Sequence, residues 1–157
     1  MKKTFVISLI FGFLIGCGNN ITVSEIDNYV TQINQRTDLS ESITEFIIED
    51  LRGEIVRGTD IYELTDENGK IYRIMADIVE PNKSPANYEF YFKRHTLTFA
   101  RIIELDQSGN DTIIKSEYYF KGTDLIKQLD KKENKKNAET VRQLSEIYLV
   151  YGKESPE

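Results

Sequence analysis

Glu89-Phe90-Tyr91-Phe92-Lys93 returns 28 residues later as Glu117-Tyr118-Tyr119-Phe120-Lys121, and each copy is followed, after three more residues, by a leucine, Leu97 and Leu125. Aromatic residues alternating with charged ones at period two read as half-buried strands. The four residues between each strand and its leucine, Lys93-Arg94-His95-Thr96 and Lys121-Gly122-Thr123-Asp124, read as tight turns. Each unit is therefore strand, turn, strand. Tyr62-Glu63-Leu64, with Gly69-Lys70-Ile71 after it, reads as a first and weaker copy, and its Asp66-Glu67-Asn68-Gly69 turn carries the Asn-Gly hairpin signal. A lone hairpin is marginal in water, whereas three side by side bury a face.

Outward from the repeats, Lys70 to Val79 forms a long strand. Alternation places Tyr72, Ile74, Ala76 and Ile78 on one face and Arg73 and Asp77 on the other. Pro81 and Pro85 make Glu80 to Asn87 a loop, and Thr112 to Phe120 pairs with Leu125 to Leu129. Ile43 to Asp50 fits a strand, and its Glu45-Phe46-Ile47-Ile48-Glu49 segment fits a helix equally well. Arg36 to Ser42 is polar and reads as a loop, and Gly53 and Gly58 punctuate the next stretch. Two helices flank the strands. Thr22-Val23-Ser24-Glu25 is a capping box ahead of Ile26, Tyr29, Val30 and Ile33, whose spacing marks one helical face ending near Gln35. Ala138 to Tyr151 carries Val141, Leu144, Tyr148 and Tyr151 on one stripe, with Gly152 as its stop. The expected fold is α+β: an N-terminal helix, an antiparallel meander of six or seven strands that twists or curls into a half-barrel, and a C-terminal helix.

The tyrosine-rich strand, glycine turn and following leucine resemble the hairpins of MORN-like and related β-meander repeats, over roughly residues 60–130. The whole resembles small envelope lipoproteins built as helix, meander, helix. That resemblance brings no activity with it.

The chain start carries a different signal. Met1-Lys2-Lys3 precedes an apolar run from Thr4 to Phe13, and Leu14-Ile15-Gly16-Cys17 follows. A basic head, an apolar middle and small residues before a cut make a secretory signal peptide, and the run is too short to span a bilayer, which takes about 20 residues. Leu14-Ile15-Gly16-Cys17 resembles the lipobox of bacterial lipoproteins. The resemblance implies cleavage between Gly16 and Cys17 and acylation of the Cys17 thiol. Cys17 is the sole cysteine, so it belongs to no disulfide framework. The layout is a signal peptide at 1–16, a lipidated tether at 17–21, one domain at 22–152 and a frayed tail at 153–157. Gly18-Asn19-Asn20 lacks the aspartate that holds such lipoproteins at an inner membrane. The resemblance therefore implies the outer membrane, facing the periplasm, or the outer face of the cytoplasmic membrane in a host without an outer one.

The 16 leading residues hold Lys2 and Lys3 and no acid. Of 20 basic and 26 acidic residues, the remainder thus keeps 18 and 26, a net charge of −8. Such a body does not seek nucleic acid or anionic headgroups, and the lipid does the attaching.

Candidate chemistry is sparse. His95, the one histidine, falls in a predicted turn and builds no zinc set without cysteines or further histidines. Asp66 to Gly69 and Asp106 to Asp111 cluster oxygen ligands, yet neither has the spacing of a calcium loop, and turns use the same residues. No cofactor is expected. Glu63, Glu89 and Glu117 hold matching repeat positions, with Lys93 and Lys121 beside the last two. They read as one charged row, or as the carboxylates of a wall- or glycan-acting enzyme with Glu89 or Glu117 as the acid. Tyr91 and Tyr119 alternate onto the same face as the glutamates. There they offer contact area with a polar tip for a binding partner. A helix laid over that face would make them core instead. The expected function is a non-enzymatic, lipid-anchored binding protein that holds or inhibits another macromolecule of the envelope, protein or glycan. A structural envelope component is the third alternative.

Overall fold

Thr22 accepts the Glu25 amide through its hydroxyl at 3.3 Å, and Glu25 returns the favour to the Thr22 amide at 2.7 Å, which seats the first turn of α1, Val23–Gln35. In this computed structural model residues 22–131 and 136–153 are described. The expected signal peptide, the expected lipobox with Gly16 and Cys17, the expected tether, and the residues from 154 onward lie outside them. After α1 come β1 (Ser40–Glu49), β2 (Ile55–Thr65), β3 (Ile71–Val79), β4 (Ala86–Lys93), β5 (Thr96–Leu105), β6 (Thr112–Lys121), β7 (Asp124–Asp130) and α2 (Ala138–Lys153). The seven strands pair antiparallel in chain order, and the sheet does not close, so β1 and β7 are its edges. This is the expected α+β meander between two helices, and it is an open sheet rather than a barrel.

Ile43 to Asp50 resolves as strand. Ser40 to Glu49 pairs residue by residue with β2, and its β-branched Ile43, Thr44, Ile47 and Ile48 suit that pairing. The pairing claims Ser40 to Ser42 from the expected loop. Gly58 sits within β2, paired with both Ile47 and Val79, rather than breaking the chain. α2 continues through Gly152 to Lys153, and Asn137 opens it, its carboxamide oxygen accepting the Thr140 amide at 2.8 Å.

All three repeat hairpins share one irregularity. Beside each turn, one residue of the second strand is left out of the pairing: Tyr72 in β3, Thr98 in β5 and Ile126 in β7. Each is a β-bulge, and each follows the apolar residue, Ile71, Leu97 or Leu125, that the sequence repeats after its turn. The bulge moves Tyr72 to the face opposite Ile74 and Ala76, against the strict alternation read from the sequence.

The sheet buries both faces. On one, α2 brings Val141 and Tyr148 onto Ile61, Ile74, Phe90, Ala100, Ile102, Tyr118 and Phe120. On the other, α1 lays Ile26, Val30 and Ile33 on Tyr91, Phe99 and Tyr119, with Leu64 and Tyr72 beside them.

Candidate functional site

Tyr91 and Tyr119 are core, not surface: 1% and 3% exposed, beneath α1. Their rings flank Phe99 edge-on at 5.7 and 5.1 Å. The Tyr91 hydroxyl donates to Asn34 Oδ1 at 3.0 Å and the Tyr119 hydroxyl to Asp27 Oδ1 at 3.0 Å, both acceptors on α1. Burial is the leading cause that holds both phenols above their ordinary pKa. The expectation that these two rings offer contact area to a partner is therefore overturned.

Glu89 and Glu117 do lie on the α1 face, beyond the helix and half-buried. Arg101, paired across the sheet with both, donates to Glu89 Oε2 at 3.0 Å and to Glu117 Oε1 at 3.1 Å. Sequence reasoning passed over Arg101, although a meander puts the strand between two repeats directly between their glutamates. The row is an internal acid–base–acid strap across three strands. Glu63 is not in it. β2 pairs Glu63 with Ile74, on the α2 face, and Tyr62 is the residue in line with Glu89 through Met75. The first repeat copy is thus offset by one residue from the pattern read in the sequence.

The acid-rich turns close on themselves. Asp66 accepts the Lys70 and Asn68 amides, and Asp106 accepts the Ser108 hydroxyl and the Asn110 amide. These donors hold both carboxyls below the usual range. Among the described residues no group of three or more His, Cys, Asp or Glu is placed to hold a metal ion.

Two surfaces remain. At one end of the sheet the β1–β2 hairpin leaves Ile47, Ile48, Leu51, Ile55 and Val56 exposed, with Val79 of β3 across Gly58; Ile47 is 60% and Leu51 fully exposed. Ile47 and Val79 flank Gly58 from the two neighbouring strands. Glu45 and Glu49 of β1 stand on either side of Ile47 along the strand.

At the other end, α1 and the β4–β5 turn enclose a cleft of about 720 Å³, lined by Glu25, Ile26, Asn28 and Tyr29 on one side and by Lys93, Arg94 and Thr96 on the other. Lys93 Nζ stands over the Tyr29 ring at 5.5 Å. His95 lines a smaller hollow of about 150 Å³ on the α2 side of the same turn.

No protein-family model, curated protein or solved structure matches this chain.

Proposed function

We propose that this protein is a non-enzymatic interaction module, anchored by acylation of Cys17 to an envelope membrane, and that it holds a partner protein through the β1–β2 hairpin. The exposed aliphatic cluster at Ile47, Leu51, Ile55 and Val79 carries the reading. Large aliphatic side chains left this exposed are costly to keep in water, and their common use is an interface. β1 is an edge of the sheet among the described residues, and an extended segment can add to such an edge. Glu45 and Glu49 set the partner's chemistry as an apolar segment bordered by Lys or Arg. The same acids disfavour a second copy of this chain at that edge, since like charges would meet. The strap of Glu89, Arg101 and Glu117 favours this reading over a glycan-acting enzyme, because both carboxylates already serve Arg101.

Two measurements test the two halves. Cys17→Ser is expected to leave the precursor uncut and unlabelled by a fatty-acid analogue, because the thiol accepts lipid before cleavage. Equal labelling of wild type and variant defeats the anchor. For the hairpin, Ile47→Lys with Val79→Lys changes exposed positions only, so stability should move by about 0.5 kcal/mol or less. Crosslinking in cells, with identification of what is captured, should find a protein partner with wild type and lose it with the double variant. Capture that the variant leaves unchanged removes the hairpin as the contact. Capture of a glycan strand instead of a protein removes the partner class.

A further inference from the structure

We infer that the cleft between α1 and the β4–β5 turn is the surface that rests on the bilayer, with Lys93 and Arg94 taking the phosphates of anionic lipid headgroups. This rests on the acyl anchor proposed above.

The tether decides which end of the domain is near the lipid. Five peptide units separate Cys17 from Thr22 and span at most about 18 Å. Thr22 is bonded to Glu25, and Glu25 is a wall of the cleft. The β1–β2 turn lies at the opposite end of the strands. β2 alone has 11 residues, roughly 36 Å of strand. A lipid on Cys17 therefore holds the cleft within headgroup reach and leaves the apolar hairpin pointing away, free for a partner.

Charge agrees with that orientation. The acidic whole argues against anionic headgroups, but locally the balance is reversed: Lys93 and Arg94 stand together at this lip, and neither enters an ion pair among the described residues. The acid on the opposite wall, Glu25, already accepts the Thr22 amide. Thr96 adds a hydroxyl and Asn28 a carboxamide to the lining.

The backbone supplies an independent sign. Arg94 and His95 have φ of 54° and 65°, the left-handed region that a two-residue hairpin turn demands and that Asn-Gly supplies most easily. The next hairpin places Gly122 in that region, at φ 62°. L-residues other than Asn and Asp adopt it only at a steric cost. Holding two such residues in the turn keeps a cation at the tip where a glycine would fold more readily, and strain of that kind concentrates where a surface has work to do.

The test uses the acylated full chain and its Lys93→Gln, Arg94→Gln double variant, each reconstituted into phosphatidylcholine vesicles with or without phosphatidylglycerol. Amide hydrogen exchange is read over 22–29 and 93–97. Each cation at an anionic surface is worth roughly fivefold, so slowing seen with wild type on the anionic vesicles should fall by about thirtyfold in the variant, and should fade in high salt. Slowing that is equal on both lipids, or that maps to the β1–β2 hairpin, overturns the orientation while leaving the anchor intact. Equal slowing by excess inorganic phosphate without vesicles marks a soluble-anion site and also overturns it. A chain that does not float with any vesicle defeats the anchor and this inference together.

Discussion

Replacing Tyr91 and Tyr119 together by Ser is expected to leave little folded protein at 25 °C. Each ring is buried under α1 and each leans on Phe99. Loss of a buried aromatic costs about 3–5 kcal/mol. The two share Phe99, so the losses couple and do not simply add. Even the lower sum, about 6 kcal/mol, matches the whole stability of many domains. A second pair of substitutions separates ring from hydroxyl. Tyr91→Phe with Tyr119→Phe keeps the packing and gives up the bonds to Asn34 and Asp27, about 1 kcal/mol each. Urea unfolding followed by circular dichroism should therefore show a folded Phe pair with a modest drop and a Ser pair without a transition. A Ser pair that unfolds where wild type does would mean that α1 is not seated on the sheet.

The fate of these tyrosines shows where sequence reading stops. The hairpins are local: Phe90 and Phe92, or Tyr118 and Phe120, alternate with charge, and the turns follow at once. α1 is equally local, since its cap and its stripe of Ile26, Val30 and Ile33 lie within about three turns. Which face of the sheet that stripe covers is not local, because contacts such as Tyr119 with Asp27 join residues far apart in the chain. The charged row of Glu89, Lys93, Glu117 and Lys121 speaks for an open face only on the premise that a covering helix wants apolar neighbours throughout. The premise fails on dimensions. A helix is about 10 Å wide, and same-face residues of a strand are about 6.8 Å apart. One helix therefore shelters Tyr91 while Glu89, the next residue on that face, emerges beside it and meets Arg101. The bulge at Tyr72 escaped for a similar reason: nothing in Ile71-Tyr72-Arg73 announces which residue the partner strand will skip. The exposed hairpin was hidden in another way. Nothing local in Ile47, Ile48 or Ile55 announces that these aliphatic side chains stay exposed.

The same buried phenols make the fold sensitive to alkali. Tyr29 and Tyr148 are each pushed up to about 12 from an ordinary value of 10.0, first by burial; Tyr88, Tyr91 and Tyr119 are raised as well, with burial again the leading cause. A phenol that keeps its proton longer in the folded chain stabilises the fold fully below pH 10, where both states are neutral. From about pH 10 to 12 the unfolded chain gives up the proton and the folded chain does not, so the advantage drains away as pH rises. Two units at 1.36 kcal/mol each come to about 2.7 kcal/mol for Tyr148, and somewhat less for Tyr29, which is only half-buried. The pair alone removes about 4–5 kcal/mol, close to the lower end of domain stabilities. Unfolding free energies from urea titrations are expected to be flat up to about pH 9.5 and to fall steeply through pH 11, with tyrosinate absorbance rising as the structure is lost. Tyr148→Phe removes the titrating group and keeps the ring against Phe90 and Tyr88, so it should flatten the slope near pH 11 by up to about 1.4 kcal/mol per pH unit. A wild-type profile that stays level to pH 11.5 would mean that these phenols meet solvent freely, and that α2 does not close over Phe90 as it does here.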